Sequence, residues 1–411
     1  MRWFVLIVAV LLAVLLAVLL YMTGKPVVRP LLPPEEQAVL DCYAPARDGG
    51  NEIRTYTDFY SLLEDLIRDL SAAQSQIHFQ FFKFEDDPSG RRVAEVLCEK
   101  ARAGLEVRVL YDDLCNAVRK KFFRKMEQAG VQTLGFGPLH LPLLRKEDNY
   151  RNHRKVVVVD GQVGYLGGMN IADRYGAGLS WGIWRDTHLR VAGPAVAALQ
   201  QSFLADWRYA GGAFPNLAAC FPTIPKAGET PVRILTSGPI GPGPAIHDEM
   251  VRMLDSCREY AYLESPYLIP SEAIREALIR AAGRGVDVRI IVPYRGDHGI
   301  FPPLATRGNV QPLLEAGVRV AFYQKGYMHA KILVCDDLQT TVGSTNIDPR
   351  SYFLDLEINA FILDSDYSRE MKGTFLADER ASEYIDLTTW KRRSLAEKAG
   401  EALAKILSDQ F

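Results

Sequence analysis

The sequence predicts an α/β protein made of two homologous halves, each a mixed, mostly parallel sheet flanked by helices, preceded by an N-terminal transmembrane helix. Short apolar runs alternate with segments of helical periodicity, which is typical of parallel sheets covered by helices. One motif occurs twice in the chain, and a long uncharged apolar run stands at its beginning. A length of 411 residues suits one large domain or two ordinary ones.

The apolar run at the N-terminus predicts a permanent membrane anchor. Residues 3–22 carry no charge, and as a helix of about 1.5 Å per residue they would reach about 30 Å, enough to cross a bilayer. A cleaved signal peptide is the alternative, but its apolar core is usually shorter and a small-residue cleavage site follows it. We expect an anchor over residues 1–24 and an extended, Pro-rich linker over residues 25–50.

The remainder divides into two halves, over residues 51–212 and 213–411, the second ending in a helix. Each half is predicted to alternate strands and helices before it reaches its copy of the motif. GLEVRVL and QAGVQTL in the first half correspond to GVDVRII and EAGVRVA in the second. The same architecture is therefore expected twice.

The repeated motif carries the residues with chemical function at matching spacings. Each copy predicts a strand, a tight turn and a second strand. The first copy, HRKVVVVDGQVGYLGGMN, contains His153, Lys155, Asp160 and Asn170, and the second, HAKILVCDDLQTTVGSTN, contains His329, Lys331, Asp336 and Asn346.

These residue types fit phosphoryl transfer when the two copies converge. Two Lys would neutralise the charge of a phosphate, and two Asn would donate hydrogen bonds to it. One His could attack phosphorus while the other protonates the leaving alcohol. No metal or cofactor is required for this chemistry. Asp160 and Asp336 belong to the catalytic motif, but Asp at a strand-to-turn position commonly caps the turn, and we favour that structural interpretation.

Composition argues against two other classes of site. The net charge of −2 gives no electrostatic case for a nucleic-acid partner. None of the six cysteines forms a C-x-x-C pair, so a metal site is not expected.

The motif pair resembles the HKD motifs of the phospholipase D superfamily. Over roughly residues 50–411 the chain resembles bacterial cardiolipin synthases, in segments such as IHFQFFKF, NYRNHRK, WRDTHLRV, ESPYLIP and GSTNIDPRS. The resemblance implies that the half-sites meet at a pseudo-two-fold interface, where one histidine becomes a phosphohistidine and the other acts as general acid. Those roles fall on His153 and His329, in an order that the sequence does not decide.

A histidine nucleophile also needs a partner that orients its ring. Asp186 and Glu357 follow the two motifs at similar distances, each in an apolar strand where an unpaired inward carboxylate would be costly. A solvated strand edge is the alternative for both. Gln80 and Glu264 occupy equivalent positions in the repeats. The cardiolipin synthase resemblance favours Glu at the first of them, and Gln80 could still hydrogen-bond a ligand hydroxyl.

Two segments suggest contact with lipid. RKKFFRK, residues 119–125, places basic residues around two Phe, and LPLLR, residues 141–145, places apolar residues on a loop before His153. A basic aromatic patch would favour anionic head groups. A solvated helix face and ordinary packing are the respective alternatives.

The resemblance implies a phosphatidyltransferase in the bacterial inner membrane, with phospholipids as partners. It would join two phosphatidylglycerol molecules into cardiolipin and glycerol, and phosphatidylethanolamine is an alternative lipid substrate. Hydrolysis to phosphatidic acid is the second candidate, because the motifs do not decide the acceptor. A membrane-tethered nuclease is a third, disfavoured by the charge. One chain supplies both half-sites, so no oligomer is required.

Overall fold

The computed structural model describes residues 29–43, 49–140, 145–297, 299 and 301–407. The anchor expected within residues 1–24 lies outside this part of the chain, as do residues 141–144 of the apolar loop. None of the helices within the described residues has the length and apolar composition needed to span a bilayer.

The first half alternates helices and strands in the predicted order. Its elements are α1 (Pro34–Tyr43), β1 (Glu52–Tyr56), α2 (Phe59–Ala72), β2 (Gln76–Phe81), α3 (Pro88–Arg102), β3 (Glu106–Asp112), α4 (Lys120–Gln128), β4 (Gln132–Phe136), β5 (Arg151–Asn152), β6 (Val156–Val159), β7 (Val163–Gly167), α5 (Arg174–Ala177), β8 (Ile183–Arg185), β9 (His188–Ala192), α6 (Val196–Tyr209) and α7 (Leu217–Cys220).

The second half repeats this order and adds helices at its end. Its elements are β10 (Val232–Ser237), α8 (Ala245–Ser256), β11 (Tyr260–Glu264), α9 (Glu272–Gly283), β12 (Asp287–Pro293), α10 (Phe301–Glu315), β13 (Arg319–Tyr323), β14 (Gly326–Met328), β15 (Ile332–Cys335), β16 (Gln339–Gly343), α11 (Pro349–Phe353), β17 (Asp355–Ile362), α12 (Ser365–Glu379), β18 (Ser382–Tyr384), α13 (Leu387–Lys391) and α14 (Leu395–Leu407).

Each half forms one mixed sheet, and the prediction that these sheets are mostly parallel is wrong. The strand orders are β1-β9-β7-β6-β2-β3-β4 and β10-β17-β16-β15-β11-β12-β13-β18. Along these two strand orders the parallel pairs are β2–β3–β4 and β11–β12–β13, because helices cross over between those strands. The motif strands return through tight turns, so β6–β7 and β15–β16 are antiparallel hairpins.

The two sheets pack face to face through the motif strands. Val156 and Val158 of β6 share one buried cluster with Ile332 and Val334 of β15. The alternating residues of β6, among them Val157, face the other way into the helix-covered core of the first half. The halves therefore share a core, which brings the residues at the ends of these strands together.

The linker contains a helix, which corrects the expectation of an extended segment. Helix α1 begins at Pro34, whose fixed φ suits the first helical position, and Glu35 and Glu36 lie in its first turn. Leu40 is fully buried, and Glu36 pairs with Arg208 of α6. The domain boundaries themselves stay a prediction.

The expectation of an exposed basic aromatic patch at residues 119–125 is also corrected, because its two Phe do not face solvent. Phe122 and Phe123 are buried beneath α4, and Phe123 stacks on Tyr111 with ring centroids 3.7 Å apart. The cations of this segment thus lie on a helix whose aromatic face packs on the sheet.

Asp160 and Asp336 cap the strands beside their hairpins. Asp160 accepts hydrogen bonds from the backbone N–H groups of residues 74–76 at 2.8–2.9 Å, and Asp336 accepts the equivalent three from residues 258–260 at 2.7–2.9 Å. Both have positive φ, 53° and 56°. Each lies at the end of its strand opposite the motif histidine, which supports the structural interpretation.

We predict that Asp336→Ala lowers the free energy of unfolding by about 2–4 kcal/mol, because three backbone donors lose a charged acceptor and Ala is strained at positive φ. Denaturant unfolding would measure the loss. Asp336→Asn is the matched control and should lose less, since Asn tolerates this φ and keeps an acceptor oxygen. An alanine variant of wild-type stability with abolished turnover would instead indicate a chemical role.

Candidate active site

Two short parallel strand pairs join the halves where the site lies. The first pairs β5 with β17, and its register sets Asn152 opposite Leu356. The next residues along these strands are His153 and Glu357. The backbone N–H of His153 donates to the carbonyl of Leu356 at 3.0 Å, so the pairing continues up to the histidine.

The second pair repeats this arrangement with the halves exchanged. Strand β14 pairs with β8, and the register sets Met328 opposite Arg185. The residues that follow are His329 and Asp186, and the N–H of His329 donates to the carbonyl of Arg185 at 2.6 Å. Each motif histidine therefore faces a carboxylate from the other half.

The carboxylates contact one ring nitrogen of each histidine. His153 Nδ1 lies 2.9 Å from Glu357 Oε1, and His329 Nδ1 lies 2.5 Å from Asp186 Oδ2. Both carboxylates are fully buried, which excludes the solvated-edge alternative, whereas the two histidines are each 8 % exposed. With Nδ1 engaged, Nε2 is the nitrogen of each ring that remains for chemistry. The order of the residues along the chain did not show that each histidine pairs with the carboxylate of the other half.

The two motif lysines lie beside the histidines and are buried. Lys155 Nζ donates to the carbonyl of His153 at 2.5 Å, and Lys331 Nζ donates to the carbonyl of His329. Lys331 Nζ also lies 2.9 Å from His329 Nδ1. Burial and the charge of Lys331 lower the pKa of Lys155 to about 7, although Glu357 opposes the shift. Two buried cations in one site favour an anionic ligand, which would restore their charge.

The same surroundings keep both histidines neutral in the free protein. Burial and the two lysines hold the pKa of His153 well below its usual value. Burial and Lys331 lower the pKa of His329 to about 4, against the opposing effect of Asp186. A neutral imidazole is the form that can act as a nucleophile or a base.

The two carboxylates differ in charge state, which breaks the symmetry of the site. Burial raises the pKa of Glu357 to about 7, although Lys155 and the Ser344 hydroxyl favour its ionised form. Burial also acts to raise the pKa of Asp186, but Lys331 and His329 outweigh it and the pKa is lowered. Asp186 is therefore ionised at neutral pH, and Glu357 is close to half-protonated.

One sequence difference between the motifs accompanies this asymmetry. Ser344 donates a hydrogen bond to Glu357 Oε2. At the equivalent position, a Cβ on Gly168 would come within 2.1 Å of Asp186 Oδ1. Glycine is required there because the Asp186 carboxylate occupies the space that a side chain would fill.

The two motif asparagines lie near the site but differ in their hydrogen bonding. Asn170 Oδ1 accepts the Lys83 N–H at 3.0 Å, and its amide donates to the Tyr175 hydroxyl at 2.6 Å. Asn346 is 8 % exposed, and within the described residues its Oδ1 has no hydrogen-bond partner. Asn346 is thus the better placed of the two to meet a ligand.

Aromatic side chains surround the histidines, a feature that sequence reasoning missed. Phe82 meets His153 edge-on with ring centroids 4.8 Å apart. Trp184, Tyr327 and Tyr175 lie 5.1, 5.6 and 5.9 Å from the His329 ring. The sequence offered one signal for them. Trp184 lies two residues before Asp186, and Tyr327 lies two residues before His329.

Two networks of buried polar side chains contact the residues of the site, and sequence reasoning did not predict them. Gln80 donates to Asn152 Oδ1 and to Asp206 Oδ2, both at 2.8 Å, and Asp206 accepts from Arg154 at 2.6 Å. Arg154 Nε in turn donates to the carbonyl of Glu357 at 3.0 Å. The amide donors of Gln80 are thus used within the protein, whereas its buried Oε1 has no hydrogen-bond partner among the described residues. A contact between Gln80 and a ligand hydroxyl stays a prediction.

The second network is more acidic. Arg185 Nε donates to Asp378 at 2.8 Å, and its Nη2 lies 3.7 Å from Glu264. Burial and the charge of Asp378 raise the pKa of Glu264 to about 8, so this carboxyl is mostly protonated at neutral pH. Where the first half has the neutral Gln80, the second half therefore keeps a neutral acid.

No cluster of metal-ligating side chains occurs within the residues that the structure describes.

Comparison with known proteins identifies the family. A profile described as "Cardiolipin synthase, PLD-like domain" matches residues 66–207 and 250–378. Cardiolipin synthase 2 of Staphylococcus epidermidis is 40% identical over 363 residues, which cover 87% of this chain and 74% of the relative. A cardiolipin synthase of Staphylococcus aureus is 39% identical over 363 residues, covering 87% and 73%.

A solved structure shows the same fold at low sequence identity. The phosphatidylserine synthase of Haemophilus influenzae superposes with a TM-score of 0.66 and 14% identity, over 90% of this chain and 97% of that one. The family itself is shown by the profile, which spans both halves, and by relatives about 40% identical over most of the chain. This chain belongs to the cardiolipin synthase family, whose two halves are phospholipase D-like domains.

Proposed function

We infer that this protein is a membrane-associated phosphatidyltransferase that joins two phosphatidylglycerol molecules into cardiolipin and glycerol. One observation carries the inference: two histidines, each held through Nδ1 by a carboxylate of the other half, lie beside two buried lysines. The names of the relatives support the choice of lipid substrates. The apolar residues 3–22 would bring the site to its substrates.

In the first step, Nε2 of one histidine attacks the phosphorus of the donor phosphatidylglycerol. The P–O bond to glycerol breaks, and the other histidine gives its proton to the departing oxygen. Lys155 and Lys331 stabilise the negative charge on the phosphoryl oxygens. Because both histidines are neutral in the free protein, the acid gains its proton when the phosphate anion enters and raises the nearby pKa values.

In the second step, the glycerol hydroxyl of another phosphatidylglycerol attacks the phosphohistidine. The histidine that gave up its proton now accepts one from this hydroxyl, and the P–N bond breaks as cardiolipin forms. Water competes for the same intermediate. The aromatic side chains Phe82, Trp184 and Tyr175 limit the space for water around the rings, which favours transfer to the lipid over hydrolysis.

The motif asparagines complete the proposed site. Asn346 binds the substrate: its buried Oδ1 has no hydrogen-bond partner within the described residues and suits a hydroxyl of the glycerol head group. Asn170 belongs to the same site but acts mainly by positioning Lys83 and Tyr175.

The reaction is tested directly by its products. Detergent-solubilised protein incubated with phosphatidylglycerol alone is expected to yield cardiolipin and free glycerol in equal amounts, measured by mass spectrometry. Phosphatidic acid as the main product would identify a hydrolase instead. If neither forms, addition of phosphatidylethanolamine tests the alternative lipid substrate.

We predict that His153→Ala and His329→Ala each reduce kcat by at least about a thousandfold, because each removes the nucleophile or the acid. His140→Ala is the control, since this histidine contacts Asp148 outside the site. Near-wild-type turnover in either site variant, with an unchanged circular dichroism spectrum, would contradict the mechanism.

Trapping the intermediate distinguishes the two histidines. The variant that lacks only the general acid should still form an acid-labile phosphatidyl adduct with a donor that has a good leaving group. The variant that lacks the nucleophile should form none. Mass spectrometry of peptides containing residue 153 or residue 329 would show which histidine carries the adduct.

Glu357→Gln is predicted to change the pH dependence of kcat/KM. The pKa of Glu357 is raised to about 7, so the carboxylate that orients His153 forms as the pH rises through that value and is lost below it. Gln accepts a hydrogen bond equally at every pH. The ratio of wild-type to variant kcat/KM should therefore increase between about pH 6 and pH 8. A ratio independent of pH would exclude this role.

A further inference from the structure

Two partly buried cations lie near the histidines but outside the centre formed by Lys155 and Lys331. They are Lys83 and Arg174, and neither has an ion-pair partner within the described residues. Arg174 Nε is buried without a hydrogen-bond partner in the same part of the chain. The mechanism above uses neither side chain.

Their positions connect them to the active site. The Arg174 guanidinium carbon lies 5.4 Å from the centroid of the Trp184 ring, which itself lies 5.1 Å from the His329 ring. The backbone N–H of Lys83 donates to Asn170 Oδ1, and the Asn170 amide donates to the hydroxyl of Tyr175, the residue after Arg174. Both cations are therefore held next to the side chains that surround the His329 ring, since the Tyr175 ring lies 5.9 Å from it.

The two cations also act on each other. Burial and the charge of Arg174 lower the pKa of Lys83, and the opposing charges of Cys115, Glu85 and Asp297 do not cancel the shift. Glu85 is itself paired with Arg119. Like charges that are held together and partly desolvated are unfavourable until an anion joins them.

The proposed reaction supplies such an anion. The donor has one phosphate, which reacts between the histidines and the motif lysines. The acceptor phosphatidylglycerol brings a second phosphodiester, which does not react and stands one glycerol unit away from the attacked phosphorus. A site that accepts this lipid must accommodate that second charge at the corresponding distance.

We propose that Lys83 and Arg174 form the subsite that binds the unreacting phosphodiester of the acceptor phosphatidylglycerol. This proposal rests on the proposed function. It also explains acceptor choice, because water and free glycerol carry no phosphate and gain nothing from the cation pair. Charge-assisted hydrogen bonds to the phosphodiester would then hold the acceptor hydroxyl against the phosphohistidine.

The test measures how the phosphohistidine is partitioned between two acceptors. The full-length protein in mixed micelles receives phosphatidylglycerol together with isotope-labelled glycerol. Attack by lipid gives cardiolipin, and attack by free glycerol gives labelled phosphatidylglycerol. Both products arise from one intermediate, so their ratio is unaffected by changes in the first step.

Lys83→Gln and Arg174→Gln are each expected to lower the ratio of cardiolipin to labelled phosphatidylglycerol about tenfold, as for loss of a charge-assisted hydrogen bond. Lys83→Arg should largely restore it. Lys325→Gln is the matched control, since Lys325 is an exposed lysine immediately before β14, and it should keep the wild-type ratio.

An unchanged ratio in the two glutamine variants would overturn the subsite, whether or not their total rate falls. A fall of the same size in Lys325→Gln would also overturn it, because the effect would then be one of general surface charge. Wild-type protein that exchanges glycerol but makes no cardiolipin would instead overturn the proposed function, a result visible before any substitution is made.

Discussion

The site depends on one constraint: each motif histidine is oriented by a carboxylate that belongs to the other half. Two short parallel strand pairs, β5–β17 and β8–β14, hold His153 against Glu357 and His329 against Asp186. An isolated half would present a histidine without its carboxylate and a buried carboxylate without its histidine. Leaving a charge buried and unpaired is costly, so docking of the two sheets and completion of the site are a single event.

Charge burial gives the site its preference for phosphate. Lys155 and Lys331 are buried with two carboxylates of unequal ionisation, and burial weakens the charged state of each group. An entering phosphate adds negative charge where the lysines supply positive charge in a medium of low dielectric constant. Binding energy, protonation of the acid and stabilisation of the developing charge therefore come from one set of groups.

The motif hairpins and their capping aspartates could be predicted from the sequence, because they depend on residues close together in the chain. The hairpins around Asp160 and Asp336 follow from apolar runs and turn residues, and their capping role follows from residue type. Sheet polarity could not be predicted in the same way, since alternation of strands and helices does not show which strands return through a turn. The pairing of Asp186 with His329 depends on how the sheets dock, which spacing along one chain does not encode. The helix at Pro34 does not follow from composition, because a Pro-rich segment favours extended backbone whereas a single proline also suits the first helical turn.

The exchanged carboxylates also link the evolutionary fates of the two halves. Copies of a duplicated segment can ordinarily diverge independently, each tolerating the drift of the other. Here a substitution near Glu357 in the second copy alters the chemistry of a histidine in the first, and one near Asp186 does the reverse. Selection must therefore act on the two copies as a pair. The difference between Gly168 and Ser344 goes with a different carboxylate within the same copy, and each of these carboxylates orients the histidine of the other copy.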